Sequence, residues 1–161
     1  MTRTMAASGS VSGPASGPVS GRVSVSAVQA LQAALAAEEA AMFGYGVAGA
    51  HLSGNRKAAA EQDWTRHNEA RDTLSAMVSA LGAEPTTGSA FYRLPFEVND
   101  AVSAAKLAAY LEEGVTRAYL GLVAVSDQRL RTFGALAMQS SAERAAFWRG
   151  TTEAFPGLQA R

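Results

Sequence analysis

Apolar and special positions recur at helical spacing through most of the chain. From Val28 onward they fall at Leu31, Leu35, Glu38, Met42, Tyr45, Gly49 and Leu52, in alternating steps of three and four. Such spacing places them on one stripe of an amphipathic helix. Ser24 or Ser26 can cap this first helix, and Ser53-Gly54-Asn55 ends it. A second helix is predicted from about Arg56 to Leu81, with its stripe at Ala60, Trp64, His67, Arg71 or Ala70, Leu74, Val78 and Leu81. Gly82 follows as a residue suited to a left-handed terminus. After the segment 83–99, Asn99 or Asp100 caps a third helix along Ala104, Leu107, Leu111, Val115, Ala118, Leu122 and Val125. Ser126-Asp127 opens a fourth, to about Arg149, along Leu130, Phe133, Ala137, Ser141, Arg144 and Trp148.

The connections carry as much information as the helices. Helices 1 and 2, and 3 and 4, are joined by short turns, which makes antiparallel pairs. Segment 83–99, AEPTTGSAFYRLPFEVN, has two prolines and no helical period, and is long for a structureless link. Its Phe91, Tyr92, Leu94 and Phe96 are expected to pack on the helices. Short turn, long crossover, short turn is the ferritin-like arrangement of four helices. The predicted fold is therefore an all-α four-helix bundle over residues 25–158. Residues 1–24 are rich in Ser, Gly and Pro and lack aromatics, and they read as disordered. The tail 151–161 holds Phe155-Pro156, which is expected to fold back.

The two helical pairs look related. Glu38-Glu39 is followed by Tyr45, and Glu112-Glu113 by Tyr119, at an offset of 74; Arg71 and Arg144 repeat at an offset of 73. Glu38, His67 and Glu112 each fall near a helix midpoint, on or beside the inward stripe. An isolated buried charge is very costly, so these groups must be paired, protonated or metal-bound. Carboxylate-bridged di-iron and di-manganese bundles use one Glu from each of two helices and Glu-x-x-His from each of the other two. Glu38 and Glu112 meet the first condition. The second fails: Glu69 is followed three places on by Asp72, Glu143 by Ala146, and the only histidines are His51 and His67. The alternative set of metal ligands is Glu38, Glu39, His67, Glu69, Glu112 and Glu143, for iron or manganese. The favoured reading is a network of Glu38, Arg71, Glu112 and Arg144, with His67, Tyr45 and Tyr119 satisfying the remaining lone pairs and no cofactor. Arginine forks hold carboxylates and stay charged when buried.

Other residues read more plainly. Trp64 and Trp148 are expected in the core, His51 at the surface, and Glu39 and Glu113 toward solvent or a second subunit. Gly44, Gly46 and Gly49 suggest close helix contact, at a dimer seam. The chain has 161 residues, room for one domain. Its 35 alanines, far above ordinary usage, favour closely packed helices. Fourteen basic residues balance fourteen acidic ones, which argues against a nucleic-acid binder. There is no cysteine, so disulfides and thiolate sites are excluded. The head lacks the apolar stretch of a secretory signal, and no run is long enough to span a membrane, so a cytoplasmic location is expected.

The stretches LQAALAAEEAAMFGYGVAGAHL, RHNEARDTLSAMVSALGAEP, YRLPFEV, YLEEGVTRAYLGLVA and ERAAFWRG resemble a bacterial family of ferritin-like domains of unknown function. The resemblance covers about residues 25–158. It implies the four-helix ferritin-like fold and no established activity. Its members keep the glutamates of helices 1 and 3 and lack the Glu-x-x-His of the second half. A histidine often follows the first glutamate in such sequences; here Glu39 stands there. The expectation is a non-catalytic, homodimeric binding or structural module, its protein partner unknown, with metal storage or oxidation as the alternative.

Overall fold

The computed structural model describes residues 19–89 and 92–150, with side chains from residue 26. Residues 1–18, the aromatic Phe91 and the tail from 151 lie outside the described residues. Four helices run in order: α1 Val19–Ala50, α2 Gly54–Ala80, α3 Ala101–Val123 and α4 Gln128–Arg149. The described residues contain no strand. The helix ends obey their local chemistry. Asp100 starts α3 through a capping box: its carboxylate accepts from Ser103 N at 2.7 Å, and its own N–H donates to Ser103 Oγ at 3.1 Å. Asp127 starts α4 by accepting from the amides of Arg129 and Leu130. Gly82 follows α2 and Gly150 closes α4, with φ of 75° and 77°, which a side chain would oppose. One boundary differs from expectation. α1 begins at Val19, ahead of Ser24 and Ser26. Once the buried stretch from Ala27 onward anchors a helix, adding residues to its end costs little.

α1 packs against both α2 and α3, and α3 packs against α4. Leucines 31, 35, 74, 107 and 122 are fully enclosed, with alanines 34, 41, 48, 104 and 108 between them. Small side chains let the backbones come close. The link after α2 is held against α1, as its aromatics suggested: Gln32 Nε2 donates to Glu84 O at 2.7 Å and Thr86 N to Gln32 Oε1 at 2.9 Å. The Tyr92 ring lies 5.5 Å from that of Phe43.

α2 keeps the predicted stripe at Ala60, His67, Leu74 and Val78 and departs from it at Trp64, Arg71 and Leu81. Its buried residues are Ala60, Asp63, His67, Leu74 and Val78. Trp64, expected in the core, is 40% exposed, and Leu81 is 46% exposed. Positions 64 and 71 are seven apart and therefore share one flank of the helix; the stripe runs beside that flank, through 63 and 67.

The glycines divide by position. Gly44 faces Leu111, whose flexible side-chain end occupies the space a Cβ would need. Gly46 and Gly49 have open space there. Gly134, on α4, is tighter in a stiffer place: a Cβ would lie 2.7 Å from Leu122 Cβ and 3.3 Å from Tyr119 O. Gly134→Ala is expected to cost about 1–3 kcal/mol by overpacking, more than the roughly 1 kcal/mol of helix propensity it gains. Gly46→Ala should instead raise stability by up to about 1 kcal/mol. Urea unfolding midpoints of the two variants check the contrast.

Candidate functional site

The middle of the bundle is polar. α1 supplies Glu38 and Tyr45, α2 supplies Asp63 and His67, α3 supplies Glu112 and Tyr119, and α4 supplies Arg144 and Trp148. Glu38, Asp63, His67 and Glu112 are all buried, Glu112 completely. Their hydrogen bonds form one connected cluster. His67 lies between the two glutamates, its Nδ1 2.5 Å from Glu38 Oε2 and its Nε2 3.0 Å from Glu112 Oε1. Arg144 Nε donates to the same Glu112 oxygen at 2.8 Å, and Tyr45 donates its hydroxyl to it at 2.7 Å. Tyr119 donates to Glu38 Oε1 at 2.7 Å. Arg144 Nη2 is steadied by Ser141 Oγ at 3.1 Å.

The tyrosines are exchanged between the repeats. The glutamate of α1 takes the tyrosine of α3, and the glutamate of α3 takes that of α1. Two helices running in opposite directions bring positions 38 and 119 level, and positions 45 and 112 level. The cations break this symmetry. His67 comes from one hairpin; the position 74 residues on is Ser141, and the second hairpin supplies its charge one turn later, from Arg144. Arg71, expected in the network, does not join it. Its Nε and Nη2 bond the adjacent Asp72 at 3.0 and 2.7 Å on the partly exposed flank of α2. Asp72, next in sequence, takes the guanidinium there, so Arg71 is paired without entering the core.

Asp63 was not anticipated. It is 4% exposed and accepts from Trp148 Nε1 at 2.9 Å and Arg66 Nη1 at 2.8 Å. It lies one turn before His67, on a stripe that otherwise holds Ala60, Leu74 and Val78, which is the signal that could have found it. Trp64, the next residue and the larger apolar side chain, masks it in the sequence pattern. Trp148 is buried as expected, yet its indole N–H is part of the polar cluster. Three carboxylates, Glu38, Asp63 and Glu112, thus face three cations, His67, Arg66 and Arg144.

Burial opposes charge on His67, but hydrogen bonds to Glu112 and Glu38 outweigh it and push its pKa from 6.5 to about 9. His67 is therefore an imidazolium at neutral pH, donating from both nitrogens. Burial would raise Glu112, but His67 and Arg144 hold it below the usual carboxylate range. Burial works against the Arg144 guanidinium too, and Glu112 raises it regardless. Burial drives both tyrosine hydroxyls up, Tyr45 further beside Glu112 and Tyr119 beside Glu38, so both stay neutral donors.

A family model for a domain of unknown function (DUF4439) matches residues 30–160. The chain belongs to this family. The DUF4439 chain is also similar to a solved structure, that of a conserved hypothetical protein, rv2844, from Mycobacterium tuberculosis. The two share 30% identity with a TM-score of 0.75, over 78% of this chain and 96% of that one. No curated protein matches.

Among the described residues of this DUF4439 domain, no group of three or more His, Asp or Glu side chains is arranged to hold a metal ion. The donor set explains why. Both nitrogens of His67 are committed to carboxylates, and a guanidinium rests on Glu112 Oε1, where a bridged metal pair would need free donors. The other members of the alternative ligand set lie apart. Glu39 lies beside Gly88 of the link, Glu69 is exposed, and Glu143 accepts from Gln139 at the surface. Glu113 is paired with Arg149. His51 is exposed.

Proposed function

We propose that this domain is a ferritin-like bundle in which a Glu38–His67–Glu112–Arg144 network stands in place of a di-metal centre. It works by binding or by structure and not by metal chemistry. The observation that carries this reading is the pair of protein cations on the two mid-bundle glutamates, with Arg144 Nε 2.8 Å from Glu112 Oε1 and His67 bridging Glu38 to Glu112. The ferritin-like assignment is supported by the opposed running of α1 and α3 implied by the exchanged tyrosines, and by the long link from α2 to α3. The homodimer and the cytoplasmic location belong to the same proposal. No helix among the described residues is long and apolar enough to cross a membrane.

One feature favours the alternative, a degenerate iron or manganese site: Glu112 Oε2 is buried and accepts no hydrogen bond from a described residue. Elemental analysis after exposure to ferrous iron or manganese and desalting separates the two. The network reading expects well under one metal ion per chain, unchanged in Glu112→Gln. Stoichiometric metal that disappears in Glu38→Gln and Glu112→Gln would establish the alternative.

A further inference from the structure

Away from the polar centre, a groove of about 720 Å³ runs between the first half of α3 and the ends of α2 and α4. Its size lies within the range of about 300–1,000 Å³ common for small-molecule sites. The surface is apolar where a monomeric helix face is usually polar. Val102 is 78% exposed and Tyr110 51%, over a floor that includes Ala105, Ala109 and Trp148. Phe96 of the link forms one wall, with Lys106 Nζ 4.6 Å from its ring centroid.

The charges around this floor are unbalanced. Arg56 and Lys106 both line it, and neither is paired with a described carboxylate. The one acid among the described lining residues, Glu113, is held by Arg149. Arg56 also stands in the first turn of α2, which carries no acidic residue. A cation there opposes the helix dipole, so its placement is not explained by helix stability. In a chain whose formal charge sums to zero, this is a local excess of positive charge beside an apolar trough.

We propose that the groove binds an amphipathic carboxylate, a free alkyl acid of medium chain length. The alkyl chain lies along Val102, Ala105, Ala109 and Tyr110. The head group meets Arg56, whose fork matches a carboxylate, and Lys106, a mobile point charge at the rim. Neither cation belongs to the buried network, which the groove touches through Trp148.

The test follows the Val102 methyls and the Trp148 indole N–H of the full chain by NMR during titration with dodecanoate below its micelle concentration. The expected result is saturable one-to-one shifts at both probes, with affinity about tenfold weaker in Arg56→Glu and in Lys106→Glu, the loss of one charge-assisted contact. Unchanged thermal unfolding of the two variants shows that the loss is one of binding. Equal affinity for dodecyltrimethylammonium would overturn the proposal, because charge would then play no part. Shifts that fail to saturate would overturn it as well. So would shifts of the same probes with protein concentration alone, which would assign the groove to a second copy of the chain.

Discussion

Arg144→Met is expected to lower the unfolding free energy by about 3–5 kcal/mol, the usual cost of removing one partner from a buried ion pair. The hydrophobic replacement fills much of the same volume, so the loss comes from Glu112. That carboxylate is completely buried and would keep only His67 and Tyr45 as donors. If the charge is the cause, neutralising the partner should restore part of the stability. Arg144→Met with Glu112→Gln should therefore be more stable than Arg144→Met alone. Arg71→Met gives the contrast. The sequence pattern placed Arg71 on the inner stripe, and a large loss would follow from that. In the structure it bonds Asp72 on the flank of α2, and a change within about 0.5 kcal/mol is expected. Chemical denaturation at pH 7 measures all of these; an Arg71 effect as large as that of Arg144 would mean that Arg71 faces the core.

The second large effect is on pH. His67 gains its proton more readily in the folded protein than in the unfolded chain, with its pKa raised from 6.5 to about 9. A raised folded-state pKa contributes stability that is fully present below the unfolded value and is lost as pH rises through the folded one. The loss therefore falls between about pH 6.5 and 9, and the size of the shift makes it on the order of 3 kcal/mol. Glu112 works in the opposite sense. Its lowered pKa contributes stability above the ordinary carboxylate value that is lost as pH falls through the folded value. Stability should peak between the two arms. Urea midpoints from pH 5 to 10 should decline on the alkaline side in the parent chain, and His67→Gln should flatten that decline while lowering stability at pH 6.

The elements of the fold were legible because they rest on local rules. Asp100, Asp127, Gly82 and Gly150 mark helix ends by chemistry that needs only neighbouring residues. Glu38, His67, Glu112, Tyr45, Tyr119 and Arg144 were legible as inward groups because each combines a polar side chain with an apolar stripe. What escaped was the border of the α2 stripe, where Asp63 is buried and Trp64 and Arg71 are not. A tryptophan and an arginine seven residues apart look like members of a buried stripe, but both can lie at its edge, one exposing its ring and the other pairing with an adjacent aspartate. The competing choice, Asp63, is favourable only because Trp148 and Arg66 reach it, and those contacts come from α4 and from the next turn of α2. A single helix's pattern does not contain them. The exchange of tyrosines between hairpins was hidden for the same reason: the repeat shows that Glu and Tyr recur, and only the packing of α1 on α3 decides which pairs with which.

A network that excludes metal requires His67 to be a cation held between two carboxylates, since a neutral imidazole would keep a free nitrogen to offer a metal. Nitrogen-15 NMR of the His67 ring across pH 6 to 10 reads this directly. The structure predicts two protonated ring nitrogens at pH 7 and a titration near pH 9. One unprotonated nitrogen at pH 7, with titration below pH 6.5, would contradict it.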